Sequence, residues 1–218
     1  MSSKESGDKD FVSEYLRYLI DMGEETIVFP ESKGASLKSF YLEIKDCKLC
    51  PLGYTRTNFV FGVGNPDAKL MLIGEAPGRE EDLQGIPFVG RAGQLLDRIL
   101  AAIKLTRSDV YIANILKCRP PNNRDPLPNE ITLCLPYLLK QIEIIKPKLI
   151  CCLGRISAQV LLNTQEPMNK LRGVVHHYKG VPLIATYHPA ALLRNDSLKR
   201  PTWEDMKLLK KLYDELNL

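Results

Sequence analysis

Four short apolar runs set the terms on which this chain can fold: 69–74 (KLMLIG), 110–116 (VYIANIL), 148–153 (KLICCL) and 182–187 (PLIATY). Each is too short for a buried helix and is cut off by glycine, proline or polar residues, so each reads as a strand buried on both faces. Between them lie helical patterns at 92–104, 129–146 and 155–163. In the first, Leu95, Leu96, Ile99, Leu100 and Ile103 share one face. Buried strands alternating with helices describe an α/β fold with a parallel sheet covered on both sides. Pro136 is expected to kink the second helix or restart it. Val174 to Tyr178, then Lys179-Gly180, then Val181 onward reads as a hairpin with a two-residue turn. A last helix is expected from Thr202, with Asp205 completing a capping-box-like start, to about Leu216.

The carboxyl ends of parallel strands share one edge, where open α/β sheets place their ligands. The first run ends in Gly74-Glu75-Ala76-Pro77-Gly78 and a charged loop that carries Phe88 between Pro87 and Gly90. The second carries Asn114, the third runs into Gly154-Arg155, and the fourth ends at Tyr187-His188-Pro189. Singly, Glu75 reads as a helix cap, Asn114 as a turn partner and His188 as a structural histidine. At matching strand ends beside an aromatic, they point to one shared pocket. An aromatic wall, an amide able to pair bidentately and an imidazole donor suit a flat heterocycle. A carboxylate beside them suits water activation or stabilisation of positive charge. Arg79, Arg91, Lys117, Arg119, Arg124, Arg155 and Arg194 around the rim suit a phosphate backbone.

Composition enters mainly by exclusion. With 218 residues, 44% hydrophobic and 26% charged, the chain is expected to be globular. No stretch approaches the ~20 apolar residues of a membrane span. The opening MSSKESGDKD lacks the apolar core of a secretion signal, so an intracellular, prokaryote-like cytoplasmic protein is expected. A net charge of +4 leans mildly toward polyanions. Residues 1–10 read as disordered, Phe11 to Met22 as a short amphipathic helix, and 23–36 as a linker, making 1–36 an extension ahead of a domain at 37–218. A helix is expected from Leu37 to Asp46.

Six cysteines in such a chain suggest metal or buried thiols before disulfides. Cys151 and Cys152 lie inside an apolar run, where a thiol behaves as a small hydrophobe. Cys47, Cys50, Cys118 and Cys134 remain as four candidates for one thiolate site. Their spacing leaves zinc and an iron–sulfur cluster both open.

Taken together, GEAPGREEDLQGIPFVGRAGQLLD, NILKCRPPNNRDP and TYHPAALLR resemble the family 4 uracil-DNA glycosylases, the iron–sulfur branch of their superfamily. The resemblance spans about residues 40 to 216, with the motifs in order. It implies a three-layer α/β/α sandwich with a four-stranded parallel central sheet. It implies that Cys47, Cys50, Cys118 and Cys134 hold a structural [4Fe–4S] cluster. It also implies a monomer that excises uracil from single- or double-stranded DNA and leaves an abasic site. In that reading Phe88 stacks on the flipped uracil, Asn114 pairs with its N3 and O4 edge, and His188 donates to O2. Glu75 positions water or stabilises the sugar cation, with Ala76 lining the pocket. Glu81 lies near C5 and excludes the thymine methyl. Leu192 wedges into the vacated stack, and Arg91, Arg119 and Arg194 meet the DNA.

The related family 5 enzymes lack a polar residue at the position of Glu75. No basic KRRIH-like insertion follows the first motif, so turnover rather than covalent trapping is expected. The rival readings are a non-catalytic nucleic-acid-binding module and an iron–sulfur electron carrier. The first leaves the filled pocket positions unexplained, and the second leaves Glu75, Asn114 and His188 without a task.

Overall fold

All four apolar runs become neighbours in one sheet. A computed structural model describes residues 32–216. Its helices and strands follow in chain order as α1 (Lys33–Ile44), α2 (Leu52–Thr55), β1 (Val63–Gly64), β2 (Leu70–Gly74), α3 (Arg79–Gln84), α4 (Arg91–Ala102), β3 (Val110–Asn114) and α5 (Pro128–Ile145). After these come β4 (Leu149–Leu153), α6 (Arg155–Leu162), α7 (Met168–Leu171), β5 (Val175–Tyr178), β6 (Val181–Thr186), α8 (Pro189–Arg194) and α9 (Lys199–Glu215).

The sheet order is β1-β3-β2-β4-β6-β5. The middle four strands are parallel, as the alternation requires, and β2, β3 and β4 are buried along their whole length. The sheet is nevertheless six-stranded, because an antiparallel strand is added at each edge. One addition is the expected hairpin: Lys179 and Gly180 both have positive φ, 48° and 83°, the requirement of a two-residue turn matching strand twist. The other, β1, has only two residues and leaves no periodic signal.

Side chains alternate across the strands into two apolar layers. Met71, Ile73, Ala113, Ile150 and Cys152 face Leu37, Leu138, Ile145 and Leu161, from α1, α5 and α6. Leu70, Leu72, Ile112, Cys151 and Ile184 face Leu96, Leu100, Met206 and Leu209, from α4 and α9. The result is a three-layer α/β/α sandwich. Cys151 and Cys152 thus pack into opposite layers, fully buried and unpaired.

Three local expectations change. Helix α5 runs unbroken from Pro128 at its first turn through Pro136. Pro136 lies on the exposed side, where the carbonyl left without its N–H partner can meet water. Helix α9 begins at Lys199, ahead of Thr202. Asp205 is no cap: it is buried and accepts from Thr186 at 2.7 Å and from Arg172 at 2.8 and 3.0 Å. Helix α1 starts at Lys33, so the end of the expected linker is already helical. The expected disorder at 1–10 and helix at 11–22 lie outside the described residues.

The chain leaves β2 toward β3 and then returns across β2 to β4, so strand order reverses beside β2. Crevices at carboxyl ends open at such a reversal.

Candidate active site

Glu75 follows β2 directly, Asn114 is the last residue of β3, and His188 follows β6 as the N-cap of α8. All three line one cavity of about 330 Å³ together with Ala76, Glu81 and Phe88. That volume is at the small end of ligand pockets, roughly 300–1,000 Å³, and suits a single heterocycle. The side chains expected to meet do meet.

Phe88 is buried and forms one wall, its ring centroid 5.4 Å from that of His188 with the planes 31° apart. Its φ is +56°, a left-handed conformation that costs a bulky residue about 1–3 kcal/mol. Close packing holds it there. A Cβ on Gly93 would run into the Phe88 carbonyl, and one on Gly74 would meet the Phe88 ring at 2.8 Å. Glu81 accepts from the amides of Gly78 at 3.1 Å and of Val89 and Gly90 at 3.0 Å each. Its carboxylate lines the cavity but is committed to the backbone that carries Phe88.

Asn114 is 2% exposed, and its Oδ1 has no hydrogen-bond partner. A buried carbonyl oxygen left bare costs free energy unless a ligand supplies a donor. His188 is held differently. Its Nδ1 accepts from the Ala190 amide at 3.1 Å, so the neutral ring carries its proton on Nε2. Burial foremost, then the nearby Arg194 cation, lowers its pKa to about 4, against a small opposing effect of Glu81. The imidazole is therefore a neutral donor at physiological pH. Glu75 moves the opposite way: burial, with the Asp125 charge, raises it to about 7, partly offset by Arg155.

Of the basic residues, Arg194 and Arg124 line the cavity. Arg91 is exposed at the start of α4, and Arg119 donates to Asn123 at 2.7 Å; neither lines it. Leu192 is 3% exposed and points inward, whereas its neighbour Leu193 is 38% exposed. A wedge must face the DNA, so the expectation for Leu192 does not fit its position. The loop after Cys118 also contributes Pro120, Asn123 and Asp125 to the cavity. Asn122 and Asn123 both take positive φ there, a conformation Asn tolerates, and the Asn-Asn pair was the available signal.

A second cavity is lined by Cys47, Cys50, Cys118 and Cys134 with Phe59 and Tyr137. Arg56 donates to Cys118 Sγ at 3.1 Å, Tyr137 to Cys47 Sγ at 3.1 Å, and the Lys117 amide to Cys134 Sγ at 3.3 Å. Gly53 is required, since a Cβ there would lie 2.7 Å from the Cys47 carbonyl oxygen. Among the described residues no group of three or more His, Cys, Asp or Glu could hold a single metal ion.

A family profile described as the uracil DNA glycosylase superfamily matches residues 61–211. A type-4 uracil-DNA glycosylase of Archaeoglobus fulgidus is 48% identical over 185 residues, covering 81% of this chain and 93% of that protein. The chain belongs to the type-4 uracil-DNA glycosylase family. A type-4 relative from Thermotoga maritima is 46% identical over 77% of this chain and 89% of its own length. The type-5 enzyme of Pyrobaculum aerophilum is 30% identical over 59% of this chain and 64% of its own. In this type-4 family member every residue lining the cavity with Glu75, Asn114 and His188 falls within the superfamily match, whereas Cys47 and Cys50 of the second cavity precede it. No helix among the described residues is long and apolar enough to cross a membrane.

Proposed function

We propose that this protein excises uracil from DNA by hydrolysing the N-glycosidic bond, leaving an abasic site. The observation that carries the reading is convergence: Phe88, Asn114, His188 and Glu75, from four separate parts of the chain, line one base-sized cavity. A duplex base cannot reach such a hollow while stacked, so the nucleotide must be extruded or already single-stranded.

In this reading uracil stacks on Phe88. Asn114 Oδ1 accepts from uracil N3–H and its amide donates to O4. Cytosine presents an acceptor at N3 and a donor at its 4-amino group, so it leaves the same buried atoms unpaired, the costly outcome. As the bond to the sugar breaks, negative charge collects on the base. The Nε2–H of His188 donates to O2, where that charge develops, and acts on the transition state more than on bound substrate. Glu75, when ionised, orients water or stabilises the cationic sugar from the other side. Glu81 narrows the C5 side as part of the braced loop, which supports exclusion of a thymine methyl. Arg194, Arg91 and Arg119 offer charge to the phosphates. Leu193, outward-facing on α8, takes the wedge role first expected of Leu192.

The second cavity fits an iron–sulfur cluster. Four thiols line it and three donors aim at their sulfurs, a donor set that suits an iron–sulfur cluster. Cys47, Cys50, Cys118 and Cys134 would hold a [4Fe–4S] cluster as a cross-link between the α1–α2 connection, the loop after β3 and α5. It would supply structure, with no part in the base-release step.

A uracil-containing oligonucleotide incubated with the protein and then treated with alkali is expected to break at the uracil position. An intact strand after treatment with cluster-loaded protein refutes the reading. Asn114→Ala and His188→Ala are each expected to lower the single-turnover rate about 100-fold or more, with much smaller loss of DNA affinity. Equal losses in rate and affinity would contradict a transition-state role.

A further inference from the structure

Arg107 belongs to the connection between α4 and β3 and does not line the cavity. Its guanidinium nevertheless reaches the loop that carries the stacking ring. Nη1 donates to the Pro87 carbonyl at 3.2 Å, Nη2 donates to the Phe88 carbonyl, and Nε donates to Asp97 of α4 at 2.7 Å. On the other side of the same segment Glu81 takes the amides of Val89 and Gly90. Residues 87–90 are therefore gripped by opposite charges, carbonyls on a cation and amides on an anion.

The grip falls where the backbone most needs it. Phe88 sits at φ +56°, a conformation its side chain disfavours, and its carbonyl is pressed against Gly93. Relaxing that φ would turn the carbonyl and swing the ring away from His188. We infer that Arg107 is a positioning residue: by holding the Pro87 and Phe88 carbonyls from outside the cavity, it fixes the face that Phe88 presents to the base. This rests on the uracil-excision reading above. Two successive carbonyls need two donors in fixed geometry, which a guanidinium supplies and an ammonium does not. An exposed Arg–Asp pair with no such duty would contribute little.

The test is a double-mutant cycle between Arg107 and Phe88, read by single-turnover release from a single-stranded uracil oligonucleotide. Melting temperature, affinity for abasic DNA and inhibition by free uracil are measured on the same proteins. Arg107→Ala is expected to slow release roughly 10- to 100-fold and to weaken inhibition by uracil, while abasic-DNA affinity holds. Arg107→Lys should recover little. In a Phe88→Leu background the same Arg107→Ala change should alter the rate by no more than about twofold, because the ring it positions is gone. Losses that multiply in the double variant, a wild-type rate in Arg107→Ala, or full rescue by lysine each overturn the inference. If Arg107→Ala does not fold, Arg107→Gln and Asp97→Asn enter the cycle with the same expectation of non-additivity. A wild-type protein that releases no uracil fails the functional reading itself, before the cycle begins.

Discussion

Two titratable side chains in the cavity are displaced in opposite directions by the same cause. Burial disfavours charge, so it raises the Glu75 carboxyl to about 7 and lowers the His188 imidazole to about 4. In the proposed reaction the two would divide the labour, a neutral histidine donating and a carboxylate ionising within the working range. Release is therefore expected to rise with pH through about 7 and then level off, with no further histidine limb above pH 5. A pH–rate profile checks this, and Glu75→Gln should be slow and flat across it. The same shift carries a stability consequence. The folded Glu75 holds its proton more tightly than the unfolded chain does, so its contribution is present below about pH 4.5 and lost as pH rises to about 7. Glu75→Gln should accordingly melt higher than the parent at pH 8 but not at pH 4, by up to about 1 kcal/mol after allowance for solvent screening. His188 has the reverse sign, its folded pKa lying below the unfolded one, and it weakens the fold as pH falls from about 6.5 toward 4.

Helix α8 shows how a short element divides its residues between fold and function. His188 caps its start, with Ala190 N–H on Nδ1, and so one hydrogen bond sets both the helix entry and the histidine tautomer. Leu192 and Leu193 are adjacent and apolar, yet only the first is covered. Leu192→Ala is expected to cost about 2–5 kcal/mol of stability and to lower the melting temperature, with excision per folded molecule retained. Leu193→Ala should melt like the parent and lose excision from duplex DNA far more than from a single strand, because only the duplex has a stack to be held open. Reversed phenotypes would return the wedge role to Leu192. The adjacent pair was indistinguishable in sequence, since a six-residue helix has too few positions for periodicity to say which residue faces inward.

Across the whole molecule, the cysteine cavity and the base cavity are joined through one buried residue, by its side chain on one side and its backbone on the other. Lys117 lies between Asn114 and Cys118 in sequence; its Nζ donates to the Asn114 carbonyl at 2.9 Å and to Gln141 at 2.6 Å, and its amide donates to Cys134. Cys118→Ser is expected to yield protein with less iron, a lower melting temperature and weakened excision that parallels the loss of folded protein. Metal analysis, calorimetry and the alkali-cleavage assay measure these together, and stoichiometric zinc in place of iron would remove the cluster assignment. Much of this architecture was legible in the chain. Four apolar runs separated by helical patterns determine a parallel sheet with two covered faces, because backbone polar groups buried on both sides can be satisfied only by neighbouring strands. The strand-end positions of Glu75, Asn114 and His188 follow from that sheet. Other features required the folded chain: the two-residue strand at one edge, the unbroken helix through Pro136, the Arg107 grip on Phe88, Asp125 beside Glu75, and the inward turn of Leu192. Each depends on contacts between residues far apart in sequence or on which side of a short element faces the core. Local patterns carry periodicity and propensity, but long-range distances and desolvation exist only once the layers have packed.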